Sequence, residues 1–234
     1  MRKRDTRLQL ILAAEGLFAE RGIDGVSLRE INIAAKQRNT SAAHYHFGSK
    51  DALIDAIFEF RRPEIGRRRD ELLDALEQGG RATDVRALVE ALIMPLAAEL
   101  EPSEEPSRYL EFLAHLFLTS PSQVGEILRK NQAADARLAG MMARALPQVP
   151  RRALGLRQFL MSRHVVISLS VYHRRGLQID APMFETYLSD MTDSVAGYLS
   201  APVSEQTLAL QRSREGEGEG SAVPAVAPSP ADSE

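Results

Sequence analysis

An all-α fold is predicted by three observations. Ala, Leu, Arg and Glu are abundant along the 234 residues, and these lose little on entering a helix. Apolar residues recur at spacings of three and four from about residue 5 to residue 199, and no stretch reads convincingly as a strand. Residues 27–50, SLREINIAAKQRNTSAAHYHFGSK, read as two short helices across a tight turn, followed by the start of a third. The 44% apolar content supplies a core for one large or two small domains. Cysteine is absent, which excludes disulfides, thiolate chemistry and Cys-based zinc sites. No run approaches the roughly 18 consecutive apolar residues of a membrane span, and no apolar signal region follows the basic start, so a cytoplasmic protein is expected.

Taken in order, Arg2, Lys3, Arg4 and Arg7 form a basic arm. A frayed, solvated terminus and a phosphate-contacting arm account for it equally well. Helix 1, residues 5–21, buries Leu10, Ala14, Leu17 and Phe18, and Gly22 stops it. Ser27 and Glu30 have the S-x-x-E spacing of a capping box, with Val26 and Ile31 placed for a hydrophobic staple. Leu28, Ile31 and Ala35 share one face of helix 2. Asn39, Thr40 and Ser41 are each good N-cap residues for a short helix over residues 42–47, which Gly48 ends. Ser49 caps the next helix, with Asp51 in its first turn.

Two helices across such a turn have helix-turn-helix geometry, whose second helix enters the major groove of DNA. The charge distribution agrees. Residues 1–50 carry nine Lys+Arg against five Asp+Glu, net +4, while residues 51–200 are net −3 and residues 201–234 net −4. The positive excess sits where an electrostatic footprint on DNA requires it.

The segment 5–51 resembles the DNA-binding domain of the TetR family of transcriptional regulators. The resemblance rests on Phe18, Gly22, Ser27-Leu28-Arg29-x-Ile31 and Tyr45-His46-Phe47-Gly48-Ser49-Lys50-Asp51-Ala52-Leu53. The turn departs from the family's usual Ala-Gly-Val-Ser-like form: it runs through Lys36, Gln37, Arg38 and Asn39, is one residue longer, and resembles a subset with a Gln-Arg-Asn turn. The resemblance implies a three-helix DNA-binding domain (residues 1–50) and a helical effector-binding and dimerisation domain (residues 51–200), about nine helices in all. Residues 201–234, rich in Pro, Gly, Ser, Ala and Glu, are expected to form a disordered acidic tail.

DNA contacts are expected from Arg38, Asn39, Thr40, Ser41, Ala42, His44, Tyr45, His46 and Lys50. Tyr45 and Lys50 suit phosphates, while the turn and the leading face of the short helix suit base edges. Simple capping explains Asn39 and Thr40 as well as base contact does.

Beyond residue 50, Leu53, Ile54, Ile57 and Phe58 continue a helix that Pro63 is expected to kink or break. Residues 64–77 resume it. Helix 5 covers residues 84–100, with a bend at Pro95. Helix 6, residues 107–119, is apolar almost all round. Helices 7, 8 and 9 follow over about 122–146, 151–175 and 180–199.

The polar residues Arg108, Tyr109, His115, Arg163 and His164, with Phe112 and Met141, are candidates for lining an effector cavity among helices 4 to 8. A satisfied core or surface role is the commoner one for each of them. The surplus of apolar residues on helices 8 and 9 predicts a homodimer through those two helices, which matches the two-fold symmetry of a palindromic operator. The partners expected are double-stranded operator DNA, a second copy of the chain and a mainly hydrophobic small molecule, without a membrane. The five histidines have no metal-ligand spacing, and no H-E-x-x-H, P-loop or G-x-S-x-G string occurs, so no catalytic residue, metal or cofactor is expected. A ligand-responsive repressor is the expected function. The rival is a helical ligand-binding or scaffold protein that no longer binds DNA.

Overall fold

A computed structural model describes residues 3–39, 41–101, 107–119, 132–174 and 181–216. Among them are ten α-helices and no strand. The helices are α1 (Lys3–Arg21), α2 (Leu28–Ala34), α3 (Ala42–Phe47), α4 (Lys50–Gln78), α5 (Val85–Ala97), α6 (Tyr109–Thr119), α7 (Gln132–Ala145), α8 (Arg151–Arg174), α9 (Ala181–Ser200) and α10 (Glu205–Gly216), with one 3-10 turn at Ala98–Leu100.

α1 to α3 and the start of α4 form the head. Leu10, Ala14 and Phe18 of α1 and Leu53 and Ile57 of α4 are fully buried, so the apolar stripe at helical spacing faces inward. Gly25 is required where it stands, because a Cβ there would lie 2.7 Å from the Arg21 carbonyl oxygen. Gly48 closes α3 at φ +76, a conformation glycine adopts without steric cost.

α4 belongs to both halves of the molecule. Its first half packs on α1, and the helix continues to pack on α5. The expected break at Pro63 does not occur, for α4 is one helix of 29 residues. Pro63 removes the amide that would bond the Glu59 carbonyl, but both residues are exposed, so water satisfies that oxygen. α5 likewise runs through Pro95 and only then tightens into the 3-10 turn.

In the body, α6 is buried over nearly its whole circumference and packs between α1 and α8. α5 meets α7 and α9, and α8 pairs with α9. The expected start of helix 7 and the link between helices 8 and 9 lie outside the described residues.

The chain past residue 200 differs from expectation. Residues 205–216 form α10, with the Ser204 hydroxyl accepting from the Thr207 amide at 3.3 Å. Leu, Ala, Gln and Arg are helix formers, and the glycine and proline that lowered the average of the whole tail lie mostly beyond this stretch. The remainder of the expected disordered tail, residues 217–234, lies outside the described residues.

Candidate nucleic-acid interface

The head is assembled by side chains that close helix ends. The Ser27 hydroxyl accepts from the Glu30 amide at 3.3 Å, and a Glu30 carboxylate oxygen accepts from the Ser27 amide at 2.8 Å. The Arg21 guanidinium donates to the other Glu30 oxygen at 2.8 Å and to the Gly25 carbonyl at 2.6 Å. The Ser27 hydroxyl and amide, then Arg21, lower the Glu30 pKa from 4.5 to about 2. Val26 and Ile31 are both buried, as the staple requires.

α3 is held differently from expectation. Its N-cap, Ser41, makes no side-chain capping bond. The buried Asn32 of α2 does it instead, its side-chain oxygen accepting from the Ala43 amide at 2.8 Å. This bond fixes the angle of α3 on α2, and reading the sequence missed it. The only signal was a polar residue between Ile31 and Ile33. Lys36 closes α2 at φ +52. The Gln37 side chain then ties the turn to α1 by donating to Gln9 at 3.0 Å.

The expected DNA-contacting residues divide clearly. Arg38, Asn39, Ser41, His44 and Tyr45 are exposed, Tyr45 at 71%. Ala42 is not on the outer face. It is 6% exposed and packs inward beside Ala43, because a helix of six residues resting on α2 must bury its first turn. Asn39 accepts from the Ser41 amide at 2.9 Å, an Asx turn that leads into α3 and engages its side-chain oxygen. Thr40 lies outside the described residues. His44 places Nδ1 2.9 Å from the Gly48 carbonyl oxygen, an acceptor, so that nitrogen donates and Nε2 is the ring nitrogen left facing outward contacts. His46 is half-buried, edge-on to Tyr45 with ring centroids 5.4 Å apart. The Lys50 ammonium donates to the Ile23 carbonyl at 3.1 Å, beside an open cleft lined by Gly25, Ser27 and Glu30. From the basic arm, Arg7 stacks over Phe47 at 5.4 Å.

The seven residues expected around an effector range from the buried core to the surface. Tyr109 and Phe112 are buried in an aromatic cluster with Phe58 and Phe18, and Met141 is buried in the core. Burial raises the Tyr109 pKa well above the ordinary phenol value. The Arg108 amide donates to Glu15 at 2.9 Å. Arg163 lies over the rings of Phe159, at 3.5 Å, and Phe117, at 5.0 Å, and burial lowers its pKa. His115 is half-buried and His164 is exposed. Two open clefts lie elsewhere, one beside Lys50 and one on α9 around Ser189 and Asp193. Among the described residues no group of three or more His, Asp or Glu could hold a metal ion, and no helix is long and apolar enough to cross a membrane.

Residues 10–57 match the family model of the bacterial regulatory proteins, tetR family. The match spans α1, α2, the lengthened turn, α3 and the first turns of α4. Those residues therefore carry a tetR-family regulatory domain. Solved structures share the fold of this chain at low identity. NalD, the secondary repressor of the MexAB-OprM multidrug efflux pump in Pseudomonas aeruginosa, is 18% identical over 83% of this chain and 98% of its own, with a TM-score of 0.53. AmtR of Mycobacterium smegmatis is 19% identical over 90% of this chain and 94% of its own, also with a TM-score of 0.53. No curated protein matches the sequence.

Proposed function

We propose that this chain is a TetR-family regulator, a cytoplasmic repressor that binds a palindromic operator as a dimer and releases it when a mainly hydrophobic small molecule binds the body. The observation that carries the DNA reading is the outer face of α3. Ser41, His44 and Tyr45 are exposed on a helix too short to serve as core, beside the exposed Arg38 of the turn. Arg38 suits guanine, and Nε2 of His44 is placed to meet a base edge. Tyr45 and Lys50 position the head on phosphates; the bond to Ile23 uses one of the three ammonium donors and leaves two.

The dimer reading is supported by exposed apolar side chains on α8 (Leu156, Leu160, Val171) and α9 (Met183, Tyr198). The effector reading is supported by the half-buried Phe117, Met161 and Arg163 between α6 and α8, which combine apolar surface with one cation. Such a ligand must favour the DNA-incompetent arrangement, since equal affinity for both states shifts nothing.

Shift assays over a range of salt with the gene's own upstream DNA test the proposal. Lys50→Ala is expected to weaken binding to all duplexes alike and reduce the salt slope by about one per subunit. Arg38→Ala and His44→Ala are expected to lower the ratio of specific to random binding. Lys50→Ala changing operator preference, with that ratio untouched in the other two, would overturn the placement of α3 in the groove.

A further inference from the structure

Glu15 stands in the middle of α1, a helix of the head, yet its side chain is 2% exposed and its bonds all run to the body side. Its two oxygens accept from Nε and Nη2 of Arg61 on α4, at 2.7 and 2.8 Å. One of them also accepts from the Arg108 amide at 2.9 Å, at the start of α6. Arg61 lies 3.5 Å from the mostly buried Glu99 in the 3-10 turn after α5, and Glu99 accepts from the Ser107 hydroxyl at 2.8 Å. One guanidinium therefore serves two buried carboxylates, and four elements meet at it. The adjoining ionic pair is Arg108 with the buried Glu111, at 3.2 Å.

We infer that Glu15 and Arg61 are positioning residues that set the angle of the DNA-binding head on the body. The aromatic contacts between Phe18, Phe58 and Phe112 hold head and body together without fixing a direction, because apolar attraction is non-directional. A two-pronged guanidinium–carboxylate fork is directional, and here it is shielded from water. The third bond adds a lever: the amide at the start of α6 is satisfied by a side chain from the other domain, so α6 cannot shift without pulling on α1 or stranding that donor. The inference deepens the proposed DNA reading and rests on it only for its consequence on operators.

Removing Arg61 alone leaves buried carboxylates unneutralised and risks unfolding. The variant to compare with wild type is Glu15→Gln/Arg61→Met/Glu99→Gln, which removes all three charges of the fork together and leaves the adjoining Arg108–Glu111 pair intact. The chain has no cysteine, so nitroxides on Glu20→Cys and Gln148→Cys report the distance from head to body without background labelling. Diluting labelled chains into unlabelled ones isolates distances within one chain. The expected result is a narrow distribution in the otherwise wild-type chain and a clearly broader one in the triple variant at unchanged helix content. Equal widths would overturn the inference. On DNA, the triple variant is expected to bind a single half-site within about twofold of wild type, to lose about tenfold on the full operator, and to stop discriminating against one inserted base pair between half-sites. Retention of wild-type spacing discrimination would also overturn it. A wild-type chain that bound no duplex above random DNA would remove the proposed function, while the distance measurement would still decide the positioning role.

Discussion

Glu30 and Asn32 lie two residues apart on α2 and show what a sequence does and does not reveal. The Glu30 capping box was legible because both partners sit three residues apart in the chain. The Asn32 bond was not, because its donor lies eleven residues away on another helix. Each role has a measurable consequence. Glu30 has its folded pKa lowered to about 2 from 4.5. Its stabilising contribution is therefore present above the unfolded value and is lost as pH falls towards the folded one. Carboxyl NMR should find a Glu30 midpoint near 2, and Glu30→Gln should make the acid side of the stability profile less steep; a midpoint at the ordinary value would mean the box is open in solution. Asn32→Ala strands the buried Ala43 amide and should cost about 1–3 kcal/mol. It should also speed hydrogen exchange at Ala43 and weaken operator binding more than Ser41→Ala does, since Ser41 makes no capping bond.

At the scale of elements, helix existence was legible throughout the described chain, and the errors fell at the break expected at Pro63 and at the C-terminal end. Periodicity identifies which face is apolar, but it does not say whether the carbonyl freed by Pro63 can reach water. Average composition likewise concealed the short helix-forming stretch inside a glycine-rich tail. The segment leading to α10 is tethered. Arg157 donates to the carbonyls of Leu199 and Ala201 at 2.9 and 2.6 Å, closing the end of α9, and reaches Pro202 at 3.4 Å. Arg157→Ala should destabilise by about 1–2 kcal/mol and lower Tm by roughly 2–8 °C. Deleting residues 217–234 should leave Tm unchanged. Deleting residues 201–234, which removes two of those carbonyls, should lower it measurably. Equal melting of the two truncated chains would show that the tether contributes nothing.

At the scale of the molecule, the charge split and the apolar split serve different partners. In the proposed function the basic excess of residues 1–50 meets DNA, and the exposed apolar side chains of the body meet a second copy of the chain. On α8, Leu156, Leu160, Ile167 and Val171 are spaced by four, seven and four, which puts them on one stripe, and three of the four are large and exposed. His164 lies on that same stripe, four residues from Leu160. Its exposure therefore fits an interface better than the effector cavity suggested by its place in the sequence. Met183 and Tyr198 of α9 lie fifteen residues apart, close to four whole turns, and extend the apolar surface along the neighbouring helix. An isologous dimer brings each stripe against its own copy, so one substitution acts twice at the axis. Leu160→Asp buries two like charges there in the dimer but exposes them to water in the monomer. The expected outcome is a shift from dimer to monomer in light scattering at micromolar concentration, with helix content unchanged because Leu160 is already 41% exposed in the single chain. Binding to a single half-site should survive in that monomer, since the head is intact. Binding to the full operator should fall towards the half-site level, because two heads no longer share one binding event. A Leu160→Asp chain that remained a dimer would place the two-fold axis on some other face of the body.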